Sequence, residues 1–203
     1  LPPGAWVRGW GYDHSQLAGK RHPNRWDLDE VSTEHPILIT RTCGHIAVAN
    51  SLALGLAGIT DETQDPPGGK FDRADGKITG VMIENAKNPV ADISNFTYDE
   101  LRKGLKITSD YWLQNGFTSA TDAGGLDPKV LLDAIEAGEV RVRIYFSVWA
   151  FSMNRGEQAR VFTRTGLRSG FGNEWAQIGP YKLFADGSSS GPTAKTREPY
   201  SSN

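Results

Sequence analysis

Asn115-Gly116-Phe117-Thr118-Ser119-Ala120-Thr121-Asp122 decides the fold, because it ends one helix and opens a strand within a few residues. Upstream, Thr97-x-x-Glu100 is a capping box, in which each side chain can accept from a backbone N–H that the first helical turn leaves unpaired. Leu101, Leu105, Thr108 and Trp112 then fall on one helical face, and Gly116 stops the helix. Phe117 to Asp122 reads as a strand. Downstream, Asp127-Pro128 is an N-cap followed by proline at the first helical position, and Gly138 closes that helix. Val140 to Phe146 alternates apolar and charged residues before turning fully apolar, as a strand entering a core does. A further helix is expected between Arg155 and Thr165, and a last strand from Tyr181 to Ala185. Helix, strand, helix, strand, helix, strand implies parallel strands joined by right-handed crossovers, hence an α/β fold. Periodicity leaves two architectures open, an open doubly wound sheet and part of a (β/α)8 barrel. The absence of a glycine fingerprint after any strand disfavours a dinucleotide-binding sheet.

Outward from this region, residues 1–95 are irregular and rich in Gly, Pro and Asp, and read as a small α+β unit. Pro36 to Thr40 is expected as a short buried strand. His45 to Ala57 is expected as a helix, from its Ala and Leu content, with Gly58 at its end. Asp75-Gly76 is a turn signal leading into a strand over Lys77 to Met82.

A net charge of −2 and a pI near 6.1, with no basic run, give no electrostatic case for nucleic acid or an anionic membrane as partner. No apolar stretch approaches the ~18 residues a membrane-spanning helix needs. The single cysteine, Cys43, rules out an internal disulfide and fits a reducing cytosol, so a cytoplasmic location is expected. Leu1-Pro2-Pro3-Gly4 and Tyr200-Ser201-Ser202-Asn203 lead to the expectation of an internal piece of a longer protein.

Lys182 stands where a parallel strand runs out into Ala185-Asp186-Gly187-Ser188, and the carboxyl ends of such strands are where ligands bind. There a lysine can meet a substrate's charge or, carbamylated by carbon dioxide, offer oxygen to metals; a salt bridge is the plainer alternative. Gly187, Gly191, Lys195 and Thr196 fail the spacing of a phosphate loop. His45 is expected at a helix N-terminus, where the helix field favours a neutral, hydrogen-bonding imidazole; a helix-capping or surface histidine is the alternative. Asp122, at a strand end, either faces a site or caps the next turn. His14, His22 and His35 form no metal-binding pattern, and Cys43 is expected as small buried filling.

Several segments together resemble amidohydrolase family 3, the large group that includes N-substituted formamide deformylase and exoenzyme regulatory proteins. They are Trp6 to Asp13, Pro36 to Arg41, Gly44-His45-Ile46-Ala47-Val48-Ala49-Asn50-Ser51-Leu52-Ala53-Leu54, Gly80 to Glu84, Asn115 to Asp122, Lys182 to Ser188, Thr193-Ala194 and Pro199-Tyr200. The resemblance implies part of a (β/α)8 TIM barrel, roughly its second to fourth strands, in residues 96–203. Residues 1–95 would be an inserted, lid-like α+β domain. It implies a divalent metal, zinc by expectation, and hydrolysis of C–N bonds in small amide-like substrates by metal-activated water. Lys182 would be the carboxylated metal-bridging lysine, Asp122 and Asp186 supporting or loop-positioning groups, and His45 a residue near the substrate. The family's other ligands fall outside this chain, so the chain alone is expected to be metal-poor and inactive, and to self-associate through an exposed partial barrel. The alternative is a non-catalytic binding or regulatory module on the same scaffold.

Overall fold

A computed structural model describes residues 1–149, 156–183, 185–188 and 193–200, without the side chains of 149 and 156–159. Two compact units form, Leu1–Asn95 with Asp186–Asn203, and Phe96–Ala185. Among the described residues no helix is long and apolar enough to cross a membrane.

The first unit is built on a mixed sheet of β1 (Val7–Tyr12), β2 (Ile37–Arg41), β3 (Ile46–Ala49), β4 (Gly69–Ala74) and β5 (Lys77–Glu84), in the order β1-β2-β3-β5-β4. β1 and β2 run parallel and the other neighbours antiparallel. β2 is the strand expected at Pro36–Thr40. The expected turn at Asp75-Gly76 closes the β4–β5 hairpin, both residues at positive φ (50° and 78°) as a primed two-residue turn requires.

The expected helix over His45–Ala57 is instead two elements, the strand β3 and the short helix α2 (Ser51–Leu56). Ile46, Ala47, Val48 and Ala49 are all buried, because β3 is laddered between β2 and β5 and the sheet is covered on both faces. On one side Ala47 and Ala49 join Leu38, Leu54, Phe71 and Met82; on the other Ile46 and Val48 join Leu28, Ile37 and Val81. A strand buried on both faces reads as a continuous apolar run, which local propensity mistakes for helix. Asn50 makes the break. Its side chain accepts from Ala53 N at 3.0 Å as the N-cap of α2 and from Ile37 N at 3.0 Å, and donates to the Ser32 and His35 carbonyls, each at 3.0 Å. Two further short α-helices belong to this part, α1 (Arg25–Asp29), opened by an Asn24–Asp27 capping box, and α3 (Asn88–Ile93).

The second unit alternates as expected: α4 (Tyr98–Gln114), β6 (Ser119–Asp122), α5 (Pro128–Glu136), β7 (Arg143–Trp149), α6 (Gly156–Arg164) and β8 (Ala176–Lys182). The three strands are parallel in the order β6-β7-β8. Thr97 and Glu100 form the capping box of α4, and Asp127 caps α5 by accepting from Lys129 N (2.8 Å) and Val130 N (3.3 Å). Leu105 and Trp112 of α4, with Leu131 and Ala134 of α5, pack against Ile144, Phe146, Val148, Ala176 and Ile178. Leu101, expected on that face, is 37% exposed.

Three strand boundaries differ from expectation. Phe117 N bonds back to Trp112 O (2.9 Å), which delays β6 to Ser119. Glu139 N and Val140 N both bond to Ala134 O at the end of α5, which delays β7 to Arg143. The last strand lies at Ala176–Lys182 rather than Tyr181–Ala185, its Gly179-Pro180 having masked it; Phe184 is outside the described residues.

Candidate active-site residues

Lys182 is the last residue of β8, half-buried. Its direction follows from a bulge. Phe146 pairs with Ile178 but Val148 pairs with Tyr181, so β8 carries one residue more than β7 between these partners, at Gly179-Pro180. Tyr181 thereby turns toward α6, where its hydroxyl lies 2.9 Å from Thr163 Oγ1. Lys182, one step on, leaves the opposite face. That is the face turned away from the core, since Ile144, Phe146 and Val148 alternate into it and Arg143, Tyr145 and Ser147 do not.

Asp122 is the last residue of β6, the outer strand across β7 from β8, and lies level with Ile178, four residues before Lys182. Its Oδ2 accepts from Gly124 N (2.9 Å) and Leu126 N (3.3 Å), and its Oδ1 from Gly125 N (3.1 Å). Three backbone donors on one carboxylate hold the loop that leads into α5. A cavity of about 520 Å3 lies at the other end of these strands, bounded by Ser119, Arg143, Tyr145, Glu174, Trp175 and Gln177. None of the expected site residues lines it.

Asp186 groups with the first unit, is exposed, and accepts from Lys195 N at 3.1 Å. Ser188 N donates to Thr193 Oγ1 at 2.8 Å, so this segment is tied across itself by side chains.

His45 does not sit at a helix N-terminus. It precedes β3, and its Nδ1 lies 2.8 Å and 3.0 Å from the two carboxylate oxygens of Glu84, the last residue of β5. The helix-field argument for its neutrality therefore falls; the carboxylate is what orients the ring. A carboxylate only accepts, so Nδ1 carries a proton. Glu84 itself has φ 50° and ψ −124°, a conformation a residue with a side chain adopts at a cost of about 1–3 kcal/mol. Its backbone is pinned on both sides, Glu84 N donating to His45 O (2.8 Å) and Lys87 Nζ to Glu84 O (3.3 Å). Burial pulls the Lys87 ammonium below its ordinary range. Cys43 is half-buried and packs against the core of the first unit, as expected of a small filling residue. Burial alone would raise its thiol, but hydrogen bonds from Arg41 and from the His45 and Ile46 backbone outweigh it, and the net shift is downward.

Asp122 and Lys182 thus stand at the carboxyl ends of the two outer strands of the second unit's sheet, separated by β7, while His45 belongs with Glu84 in the first. Glu84 was not singled out from the sequence, because 39 residues separate it from His45 and only the β3–β5 pairing joins them. Among the described residues no three of His, Cys, Asp or Glu are grouped to share a metal ion. The described residues do not by themselves make a ligand set.

The Amidohydrolase family model matches residues 1–203. A putative amidohydrolase, YtcJ of Bacillus subtilis (strain 168), is 30% identical over 210 residues, covering 98% of this chain and 38% of the relative. N-substituted formamide deformylase of Arthrobacter pascens is 40% identical over 129 residues, 61% of this chain and 24% of that protein. A solved structure described as an uncharacterized metal-dependent hydrolase from Pyrococcus horikoshii superposes with a TM-score of 0.62 over 91% of this chain and 35% of that one, at 24% identity. The chain thus spans little more than a third of the relatives it matches along its whole length. Because the family model matches it from end to end, the chain belongs to the amidohydrolase family.

Proposed function

We propose that the whole protein is a metal-dependent hydrolase of C–N bonds in small amide-like molecules, and that this chain supplies Lys182 to its metal site. In this reading β6, β7 and β8 belong to a (β/α)8 barrel, residues 1–95 are a unit inserted into it, and the metal is a divalent ion, zinc by expectation. The single observation that carries the reading is the placing of Lys182. It ends a parallel strand, the carboxyl end being the catalytic side of such barrels, and the bulge turns it to the face away from the packed helices. A metal, when bound, would polarise the carbonyl and lower the pKa of its water. Because the described residues form no ligand set, the metal's remaining ligands are assigned to parts of the whole protein beyond this chain, and the chain alone is expected to show no turnover.

Asp122 holds the loop after β6, Asp186 the segment after Lys182, and His45, oriented by Glu84, is the residue placed near substrate. The test uses the whole protein. Lys182→Ala removes bound metal, measured by elemental analysis, and abolishes amide hydrolysis, while added propionate restores part of both by supplying the missing carboxylate-like oxygens. Full metal content and turnover in Lys182→Ala would refute the assignment.

A further inference from the structure

Arg41, 4% exposed, organises a polar cluster in the first unit that the hydrolase reading does not use. Its Nε donates to His14 Nδ1 (3.1 Å) and its Nη2 to Asp13 Oδ1 (3.3 Å), while Nη1 has no hydrogen-bond partner among the described residues. A guanidinium only donates, so His14 Nδ1 accepts and the ring's proton stands on Nε2. Tyr12 Oη lies 2.9 Å from His22 Nδ1, and burial holds that phenol above its ordinary range; with the phenol as donor, His22 also carries its proton on Nε2. Burial, with His14 and Arg41 adding to it, pushes His22 down to about 4, so the ring is neutral at neutral pH. The two imidazoles stack with centroids 4.0 Å apart and planes at 26°.

Both rings line a cavity of about 410 Å3, within the range of small-molecule sites. Lys20, Arg21, Asn24 and Asp72 also line it. Arg21 is engaged by Asp27 at 2.5 Å and 2.8 Å, and Asp72 accepts from Thr79 Oγ1 at 2.8 Å. Lys20 has no acidic partner among the described residues.

We propose that this cavity binds the carboxylate of a small molecule, held by the Nε2–H groups of His14 and His22 and the Lys20 ammonium. His14, whose Nδ1 accepts from Arg41, offers a metal a proton and not a lone pair. The Asp72 carboxylate in the lining opposes any anion, and opposes a doubly charged phosphate more than a singly charged carboxylate. The inference rests on the first unit alone, and its failure would leave the hydrolase reading untouched.

The test is a two-dimensional imidazole 15N–1H spectrum of the 203-residue chain, titrated at constant ionic strength with sodium acetate, sodium chloride or sodium phosphate. Acetate is expected to move the Nε2 signals of His14 and His22 saturably, with a Kd on the order of millimolar, and to leave His35 and His45 in place. Lys20→Ala, an exposed change compatible with folding, weakens acetate binding about tenfold, the loss of one charge-assisted contact. Absence of a saturable shift overturns the proposal. So do equal responses to chloride or phosphate, or an unchanged acetate affinity in Lys20→Ala.

Discussion

Replacing Asn50 by Asp changes one nitrogen to oxygen and is expected to loosen the whole first unit. Asn50 is 0% exposed, and its amide oxygen serves Ile37 N and Ala53 N while its amide nitrogen serves the Ser32 and His35 carbonyls. In Asn50→Asp the acceptor side survives. The donor side becomes an oxygen facing two carbonyl oxygens. A buried group that loses its partner costs about 1–3 kcal/mol, so two carbonyls together with a buried, repelled charge predict a loss of about 3–5 kcal/mol at neutral pH. At 1.4 kcal/mol per decade, amide exchange through global opening should quicken at least about 100-fold. The assay is hydrogen exchange by mass spectrometry on peptides covering β2 and β3, as a ratio to the native chain. The pH dependence has a definite sign. Facing carbonyls in a buried site raises the carboxyl's pKa in the folded state, so the folded variant holds its proton more tightly than the unfolded one. The deficit is then smallest below the unfolded value of about 4 and grows as pH rises toward the folded value. Native-like exchange at pH 7, or an identical deficit at about pH 4 and pH 7, would refute the reasoning.

Asp127→Ala removes the acceptor for two N–H groups at the start of α5 and should destabilise the second unit by about 1 kcal/mol, read by urea unfolding. Gly80→Ala should be far more damaging: φ is +90° and the added Cβ would lie 2.5 Å from Ala49 O and 2.8 Å from Arg25 Cβ, so the chain is expected to be largely insoluble or to lose several degrees of Tm. Iodoacetamide should alkylate Cys43 with a pH midpoint below that of an ordinary thiol, and Arg41→Ala should move the midpoint back up; coincident curves would contradict the hydrogen-bonded thiolate.

What the sequence disclosed depends on whether the signal was local. The Thr97–Glu100 box, Asp127-Pro128 and Asp75-Gly76 act within a few residues and stand in the structure as read. β3 was hidden because its strand character comes from pairing with β2 and β5, while Ala47, Ala49 and the leucines of α2 favour helix in isolation. Asn50-Ser51, a cap inside the apolar run, is the local signal that separates strand from helix. The candidate residues were legible as types at strand ends, but their partners were not. Glu84 meets His45, and Arg41 joins His14 to Asp13, only once distant strands are aligned.

The extra residue in β8 also bears on how this region tolerates insertions and deletions. Removing either Gly179 or Pro180 would restore plain alternation and exchange the faces of Tyr181 and Lys182, sending the charge into the helix-packed side and the phenol out of reach of Thr163. A two-residue change would keep the facing while altering length. Length variation between Ile178 and Tyr181 is therefore constrained by its parity rather than by its size, and a single-codon loss there is expected to be more harmful than a double one.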